Sequence, residues 1–375
     1  MTLPYYSFLM FELFIEEILA KKKGIQGKFQ ERTYIRLTNA YGGWPEGSIV
    51  FKDLIIAGFP KIGRINSLES GLREQFSGSF WMEEKVDGYN VRIFHYQGQI
   101  YCATRGGFIC PFSTDRIVDL LNVDIFIDHP NLVLCGEITG PGSPYIEGPT
   151  PLVSEDVKLF IFDIAKGSTM EFLPERQKHE LISRYRLPSV KNFGLFENQP
   201  KDLRQIKKIL LSLHNEYREG VIFKEEPFGR RAKYVTANSD LNDIAVFSHK
   251  ILDVSPNYFI DRILRYVLFL TELGLIEENN WEEKLGKAFV CGIKEVLKNV
   301  REHGRSSRFF RCRFRESKNA EYFIEHLKHI PGHQEHVIIK KLYQENSYWV
   351  LEFEKTFPST SDTLRNWLSG ALRFD

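Results

Sequence analysis

Around Lys85 the chain reads Trp81-Met82-Glu83-Glu84-Lys85-Val86-Asp87-Gly88-Tyr89-Asn90-Val91-Arg92, and strand character resumes through Val91, Ile93 and Phe94. The stretch reads as strand, whose side chains repeat with a period of two. That period puts Glu83, Lys85 and Asp87 on one face, with Glu84 and Val86 on the other. A single lysine held between acids at a sheet edge is either a nucleophile or a surface ion pair. The stretch by itself leaves both readings open.

Its surroundings predict a mixed architecture. Residues 91–95 and 99–104 flank Tyr96-Gln97-Gly98 as a hairpin, and residues 132–137 and 157–164 read as further strands around a Gly/Pro loop. Residues 115–123, 174–186 and 201–217 have helical periodicity, and 220–224 and 233–235 return to strand. Upstream, residues 4–20 predict an amphipathic helix, and short strands such as 48–51 lie between turn signals. After residue 246 the texture changes to two amphipathic helices, 256–274 and 280–300. The first is apolar enough to need a covering surface. Strand from residue 308, helix 319–328, strands 336–343 and 347–355 and helix 360–371 complete the chain. At 375 residues, roughly two to four domains are expected.

A net charge of +1 excludes overall basicity, so any nucleic-acid contact must come from local patches. Cys102, Cys110, Cys135, Cys291 and Cys312 form no CxxC pair and read as reduced thiols. The apolar run near the start is broken by Glu12, Glu16 and Glu17. Its lysines follow the apolar part, whereas a signal peptide places them before it. No segment approaches a membrane span, and a cytoplasmic location is expected.

Lys-x-Asp-Gly is a weak motif alone. Its sequel raises it: Arg105-Gly106-Gly107, Gly136-Glu137, Phe160-Ile161-Phe162-Asp163, Glu219-Gly220-Val221-Ile222-Phe223-Lys224 and Arg231-Ala232-Lys233-Tyr234 follow in that order. This series resembles the covalent nucleotidyltransferases, the polynucleotide ligases and mRNA capping enzymes. Gly58-Phe59-Pro60-Lys61-Ile62, Gly88-Tyr89-Asn90-Val91-Arg92, Pro144-Tyr145 and Lys233-Tyr234-Val235-Thr236 make it most similar to the homodimeric ATP-dependent RNA ligases first recognised in archaea. DNA ligases and capping enzymes usually place a small OB barrel after the last lysine motif, where this chain reads as helix.

The resemblance implies an α+β fold with a nucleotidyltransferase core of two antiparallel sheets flanked by helices. The expected divisions are an N-terminal module (1–60), an adenylyltransferase domain (61–245), a helical dimerisation domain (246–307) and a C-terminal α+β domain (308–375). It implies ATP and Mg²⁺, RNA with 5′-phosphate and 3′-hydroxyl ends, joined within or between molecules, and a homodimer away from membranes. Lys85 would carry AMP, and its amine must be neutral to attack phosphorus. Its pKa is therefore expected well below the ordinary value of about 10.4. Lys224 and Lys233, with Arg231 as helper, would neutralise phosphate charge. Many ligases have Lys-x-Lys where this chain has Arg231-x-Lys233, so Lys233 is the firmer assignment. Glu137 and Glu219 would hold the metal or the ribose, Arg92 and Arg105 would contact ribose or phosphate, and Phe162 would stack on adenine. Glu83 or Glu84 would accept from the adenine amino group, while Val86 and Asn90 complete the pocket.

Arg311, Arg313 and Arg315 alternate with Cys312 and Phe314, giving a strand with one cationic face. That face fits either RNA phosphates or an edge strand protected by charge. His329, His333 and His336 are too few and too polar in setting to suggest a metal site. The loop around Gly140-Pro141-Gly142 is not a phosphate loop, because proline lacks the N–H such a loop offers.

Overall fold

The computed structural model describes residues 8–167, 169–225, 229–277, 280–329 and 336–372. At its centre two five-stranded sheets line a common cleft. The first runs Glu171–Phe172, Lys158–Lys166, Leu132–Thr139, Tyr89–Tyr96, Gln99–Thr104, antiparallel throughout. The second runs Asn192–Phe196, Phe80–Lys85, Gly220–Glu225, Arg231–Val235, Gly63–Arg64. Its last strand adds in parallel, Ala232 opposite Gly63 and Lys233 opposite Arg64. That two-residue parallel edge departs from the all-antiparallel expectation. No hydrophobic period exists in two residues to announce it.

Period-two alternation decides which side of each sheet faces the cleft. On the second sheet Phe80, Met82, Val221, Phe223, Ala232 and Tyr234 turn away into a core under helices Leu68–Gln75 and Pro200–Asn215. That leaves Trp81, Glu83, Lys85, Lys224, Arg231 and Lys233 on the other face. On the first sheet Val91, Ile93, Leu134 and Ile161 pack behind, against helix Pro111–Leu120 and the C-terminal residues Phe310, Phe314, Leu351 and Phe353.

The N-terminal sheet follows sequence order: Gly24–Phe29, Arg32–Leu37, Ile49–Val50, Ile55–Ile56. Helix Phe8–Ala20 seats Ile18 against Ile35, Leu37, Val50 and Ile55. Phe29, Tyr34 and Phe51 of this sheet cover Phe94, Tyr96, Tyr101 and Val133 of the first core sheet. These lie on the same face as Asn90 and Glu137, so the N-terminal sheet covers one end of that face and leaves the other to the cleft.

After the last core strand come helices Ala237–Phe247, Pro256–Glu272 and Trp281–His303, in place of a barrel. A three-stranded sheet ordered Ser307–Phe314, Tyr348–Thr356, Val337–Glu345 ends the chain with helices Ser317–His329 and Pro358–Leu368. Ser307–Phe314 is an edge strand, and two of the three alternating arginines, Arg311 within it and Arg315 just beyond, are ion-paired. Arg311 pairs with Glu345 at 2.6 Å and Arg315 with Asp119 at 3.3 Å. Arg311 and Arg315 thus fit a charge-protected edge, while Arg313 keeps the cationic face available. His333, the middle of the histidine series, lies outside the described residues. No helix among them is long and apolar enough to cross a membrane.

Candidate active site

The cleft holds a cavity of about 580 Å³ lined by both core sheets and by the helices after them. That volume lies within the span of small-molecule sites, about 300–1,000 Å³. Lys85 ends its strand opposite Gly220. Gly88 follows because nothing larger fits: a Cβ there would meet the Ile138 carbonyl at 2.5 Å and Glu137 Cγ at 2.8 Å. The glycine of the motif thus brings the Lys85 turn against the Glu137 strand.

Lys85 Nζ donates to Glu219 Oε2 at 2.7 Å. Burial alone would depress its pKa, but Glu219, Glu137 and Asp87 outweigh burial and hold the ammonium above its ordinary value. The expected depression of the Lys85 pKa is therefore absent from the ligand-free site, which has excess negative charge at this point. Burial, with Glu219 and Asp87 nearby, pushes Glu137 up to about 8. Burial and Glu219 raise Asp87 to about 7. Carboxylates this reluctant to ionise fit a hard divalent cation, which takes oxygen ligands and would relieve the crowding. Asn90 Oδ1 and Thr139 Oγ1 also line the cavity, buried and without hydrogen-bond partners. These are free contacts for a polar ligand.

Beside this lies a buried ionic cluster that sequence reading only partly found. Glu83 is 1% exposed, and its carboxylate binds Lys178 and Lys224. Lys224 Nζ donates to Glu83 Oε2 at 2.6 Å, Asp163 Oδ1 at 2.9 Å, Glu175 Oε1 at 3.2 Å and the Phe162 carbonyl at 2.7 Å. Burial opposes the charge on Lys224, but these acids prevail and raise its pKa. Burial likewise raises Asp163, yet Lys224, Arg231 and Lys178 bring it down to about 2. A β-bulge makes the cluster possible. The register of Lys158–Lys166 slips between Ile161 and Asp163, so Phe162 and Asp163 both line the cavity while Ile161 and Ile164 stay in the core.

Several predicted roles change accordingly. Glu83 is committed to two ammonium groups, so its carboxylate has no free edge for adenine. Glu84 lines the cavity but is paired with Arg218. Lys224 is closed in by acids, and Arg231 forks onto Asp163 outside the cavity lining. Arg92 is fully buried and donates to the carbonyls of Ala57, Gly47 at 2.7 Å and Thr104 at 2.9 Å. It sits in the seam beneath the N-terminal sheet and braces the turn that carries Arg105, so it cannot reach a ribose or phosphate in this arrangement.

Lys85, Val86, Asn90, Arg105, Glu137, Phe162, Glu219 and Lys233 all line the cavity as the sequence suggested. Phe162 meets Phe59 edge-to-face at 5.4 Å. Arg105 is exposed, and neither its side chain nor that of Lys233 has a hydrogen-bond or ion-pair partner among the described residues. Burial, then Arg64 and Lys85, lower the Lys233 ammonium to about 8. The cavity also includes Arg64, Asp243, Tyr258 and Arg262, which no motif announced. Arg262 stacks 3.3 Å from the Tyr258 ring and bonds Asp243 at 2.8 Å.

The arrangement offers an amine nucleophile, a carboxylate cluster for a cation, unpaired cations for phosphate and an aromatic wall. Comparison with known proteins agrees. The family described as RNA ligase matches residues 78–235, and that described as Ligase Pab1020 C-terminal region matches residues 246–371. An uncharacterized protein of Methanocaldococcus jannaschii is 26% identical over 92% of this chain and 90% of its own length. The structure of a putative ATP-dependent DNA ligase from Aquifex aeolicus is 42% identical, covers 97% of this chain and 100% of that one, and gives a TM-score of 0.92. An archaeal ATP-dependent RNA ligase is 25% identical over 97% of this chain and 99% of that one, with a TM-score of 0.86.

Proposed function

The chain belongs to the RNA ligase family, in the branch with the Pab1020-type C-terminal region, and from that premise we propose the following course of reaction. The protein is an ATP-dependent RNA ligase that works through a Lys85–AMP adduct. The observation that carries this reading is Lys85 Nζ at 2.7 Å from Glu219, with unpaired Lys233 lining the same cavity. In this mechanism Glu219 Oε2 takes the proton of the ammonium. The neutral amine then attacks the α-phosphorus of ATP, forming a P–N bond as the bond to pyrophosphate breaks. The 5′-phosphate of an RNA end next displaces Lys85 and takes the AMP. A 3′-hydroxyl finally attacks that 5′-phosphorus, forming the phosphodiester and releasing AMP. Lys233 and Arg105 neutralise phosphate charge through these steps, and Asn90 and Phe162 position the nucleoside.

Glu137 and Glu219 would hold Mg²⁺, which supplies charge neutralisation at the phosphates. The helices after residue 237 supply a homodimer face, where Ile260, Leu264 and Leu268 lie exposed at 51, 58 and 44% on successive turns of one helix. The expected domain limits, 1–60, 61–245, 246–307 and 308–375, serve as working boundaries for these roles. Cys102, Cys110, Cys135, Cys291 and Cys312 are all free thiols, which suits a reducing cytoplasm.

The description of the Aquifex relative favours a second reading, with DNA as the strand that is joined. One assay series decides. Incubation with labelled ATP and Mg²⁺ should give an acid-stable protein adduct that Lys85→Ala abolishes, and 5′-phosphorylated RNA should be sealed faster than nicked DNA. No adduct, or an adduct retained in Lys85→Ala, overturns the mechanism, and faster sealing of DNA overturns the substrate.

A further inference from the structure

Arg64 stands out among the cavity-lining residues that no motif announced. It lies on the parallel edge strand, directly opposite Lys233. Residues in register across neighbouring strands project from the same face about 4.8 Å apart, so two cations are held side by side. Neither side chain has a hydrogen bond or an ion pair among the described residues, and Arg64 is exposed. Nearby acids are already taken. Asp240 is forked by Arg265 through contacts that include two of 3.1 Å, and Glu219 is bonded to Lys85. Burial, then Arg64 and Lys85, lower the Lys233 pKa, so the guanidinium across the strand pair weakens the charge on Lys233. Like charges opposed in register are unfavourable unless an anion comes between them.

Position suggests which anion. From the Lys85 strand outward the sheet runs through the Gly220 strand and the Lys233 strand to the Arg64 strand. In phosphoryl transfer the entering and leaving groups lie roughly in line on opposite sides of phosphorus. A nucleoside triphosphate with its α-phosphorus at Lys85 therefore extends its β- and γ-phosphates away from the amine, toward the open edge. We infer that Arg64 and Lys233 form the site for the β,γ-diphosphate of the nucleotide and for the pyrophosphate it becomes. This rests on the ligase reading above and extends it to a residue that the motif series does not contain. A guanidinium matches a diphosphate with a pair of parallel N–H donors, and an exposed edge lets the product leave.

The test uses the full-length protein with Mg²⁺ and competition by pyrophosphate and by AMP, which lacks the two outer phosphates. Arg64→Ala should raise the KM for ATP in Lys85 adenylylation roughly tenfold and slow the reversal of the adduct by pyrophosphate by a similar factor. It should weaken pyrophosphate binding much more than AMP binding. Arg64→Lys, which keeps the charge but not the fork, should fall between the two. A loss of affinity for AMP equal to that for pyrophosphate would show a merely structural role and overturn the inference. So would Arg64→Ala and Arg64→Lys proteins that hold ATP and pyrophosphate as the unmodified protein does. Should the unmodified protein take no label from ATP and bind it no better than AMP, the ligase reading and this inference fall together. Normal labelling with indifferent Arg64 variants removes this inference alone.

Discussion

Lys85 Nζ and Glu219 Oε2 are 2.7 Å apart, on strands that pair directly, and the site has more carboxylates there than the lysine can satisfy. The ligand-free site thus holds Lys85 as an ammonium. Lys85→Arg keeps the charge but cannot lose it, so it should fail as completely as Lys85→Ala. On the proposed mechanism Glu219→Gln removes both the proton acceptor and a metal carboxylate, and should lower the rate of adduct formation by at least about a hundredfold. Single-turnover labelling with ATP measures both.

Glu83 is the hub of the ionic cluster, so its loss should appear first in stability. Glu83→Ala leaves Lys178 and Lys224 in a buried site with one anion fewer, and breaking a buried pair in this way costs about 3–5 kcal/mol. Denaturant unfolding should show that loss. A variant that stays as stable as the unmodified protein while its KM for ATP rises would restore the predicted adenine contact.

Arg92 offers a parallel case. Arg92→Ala leaves the carbonyls of Gly47, Ala57 and Thr104 without their donor, each at a cost of about 1–3 kcal/mol if it stays buried. Arg92→Lys has one donor group and no fork, and should recover little. Faster hydrogen exchange in the N-terminal sheet and around the Arg105 turn would accompany the loss.

These two residues show where sequence was informative and where it was not. Alternation in residues 80–85 and 220–224 was enough to assign faces, because a strand's period is local. It put Glu83 and Lys85 together, as found. Yet Glu83 and Lys224 look alike in sequence whether they meet a ligand or each other. Asp163 and Glu175, which close in Lys224, stand 61 and 49 residues away. The Phe162 bulge that brings Asp163 to the cleft breaks no sequence rule. Lys178 lies in the first turn of helix Glu175–Tyr185, where a lysine ordinarily reads as solvated. Arg64 sits on a strand too short for any pattern.

Acid sensitivity should come from His214. Burial drives its pKa down to about 4, and its Nδ1 accepts from the Asn238 N–H at 3.3 Å, so the folded protein holds the ring neutral. Unfolded, the ring protonates near its ordinary value of about 6.5. Between these values the unfolded chain binds more protons. The contribution is fully present above about pH 6.5 and is lost as pH falls toward 4, by about 3 kcal/mol in total. His214→Gln should flatten the stability–pH curve in that window. An unchanged curve would assign the acid sensitivity to other groups.

The apolar stripe on helix Pro256–Glu272 bears on assembly. Ile260, Leu264 and Leu268 recur every four residues and are each about half exposed, while Tyr266, Phe269 and Leu270 of the same helix are buried in the core. One helix therefore has an inner apolar face for its own chain and an outer one left uncovered by the described residues. An isologous dimer covers such a stripe with its own copy, because a two-fold axis presents the same patch from both sides. Leu264→Glu sets two carboxylates near that axis and should shift the protein to monomer, with little effect on the fold since the residue is exposed. Sedimentation at micromolar concentration reads the outcome directly. A dimer in the unmodified protein that becomes a monomer in Leu264→Glu supports this face, whereas a dimer that survives the substitution places the interface elsewhere.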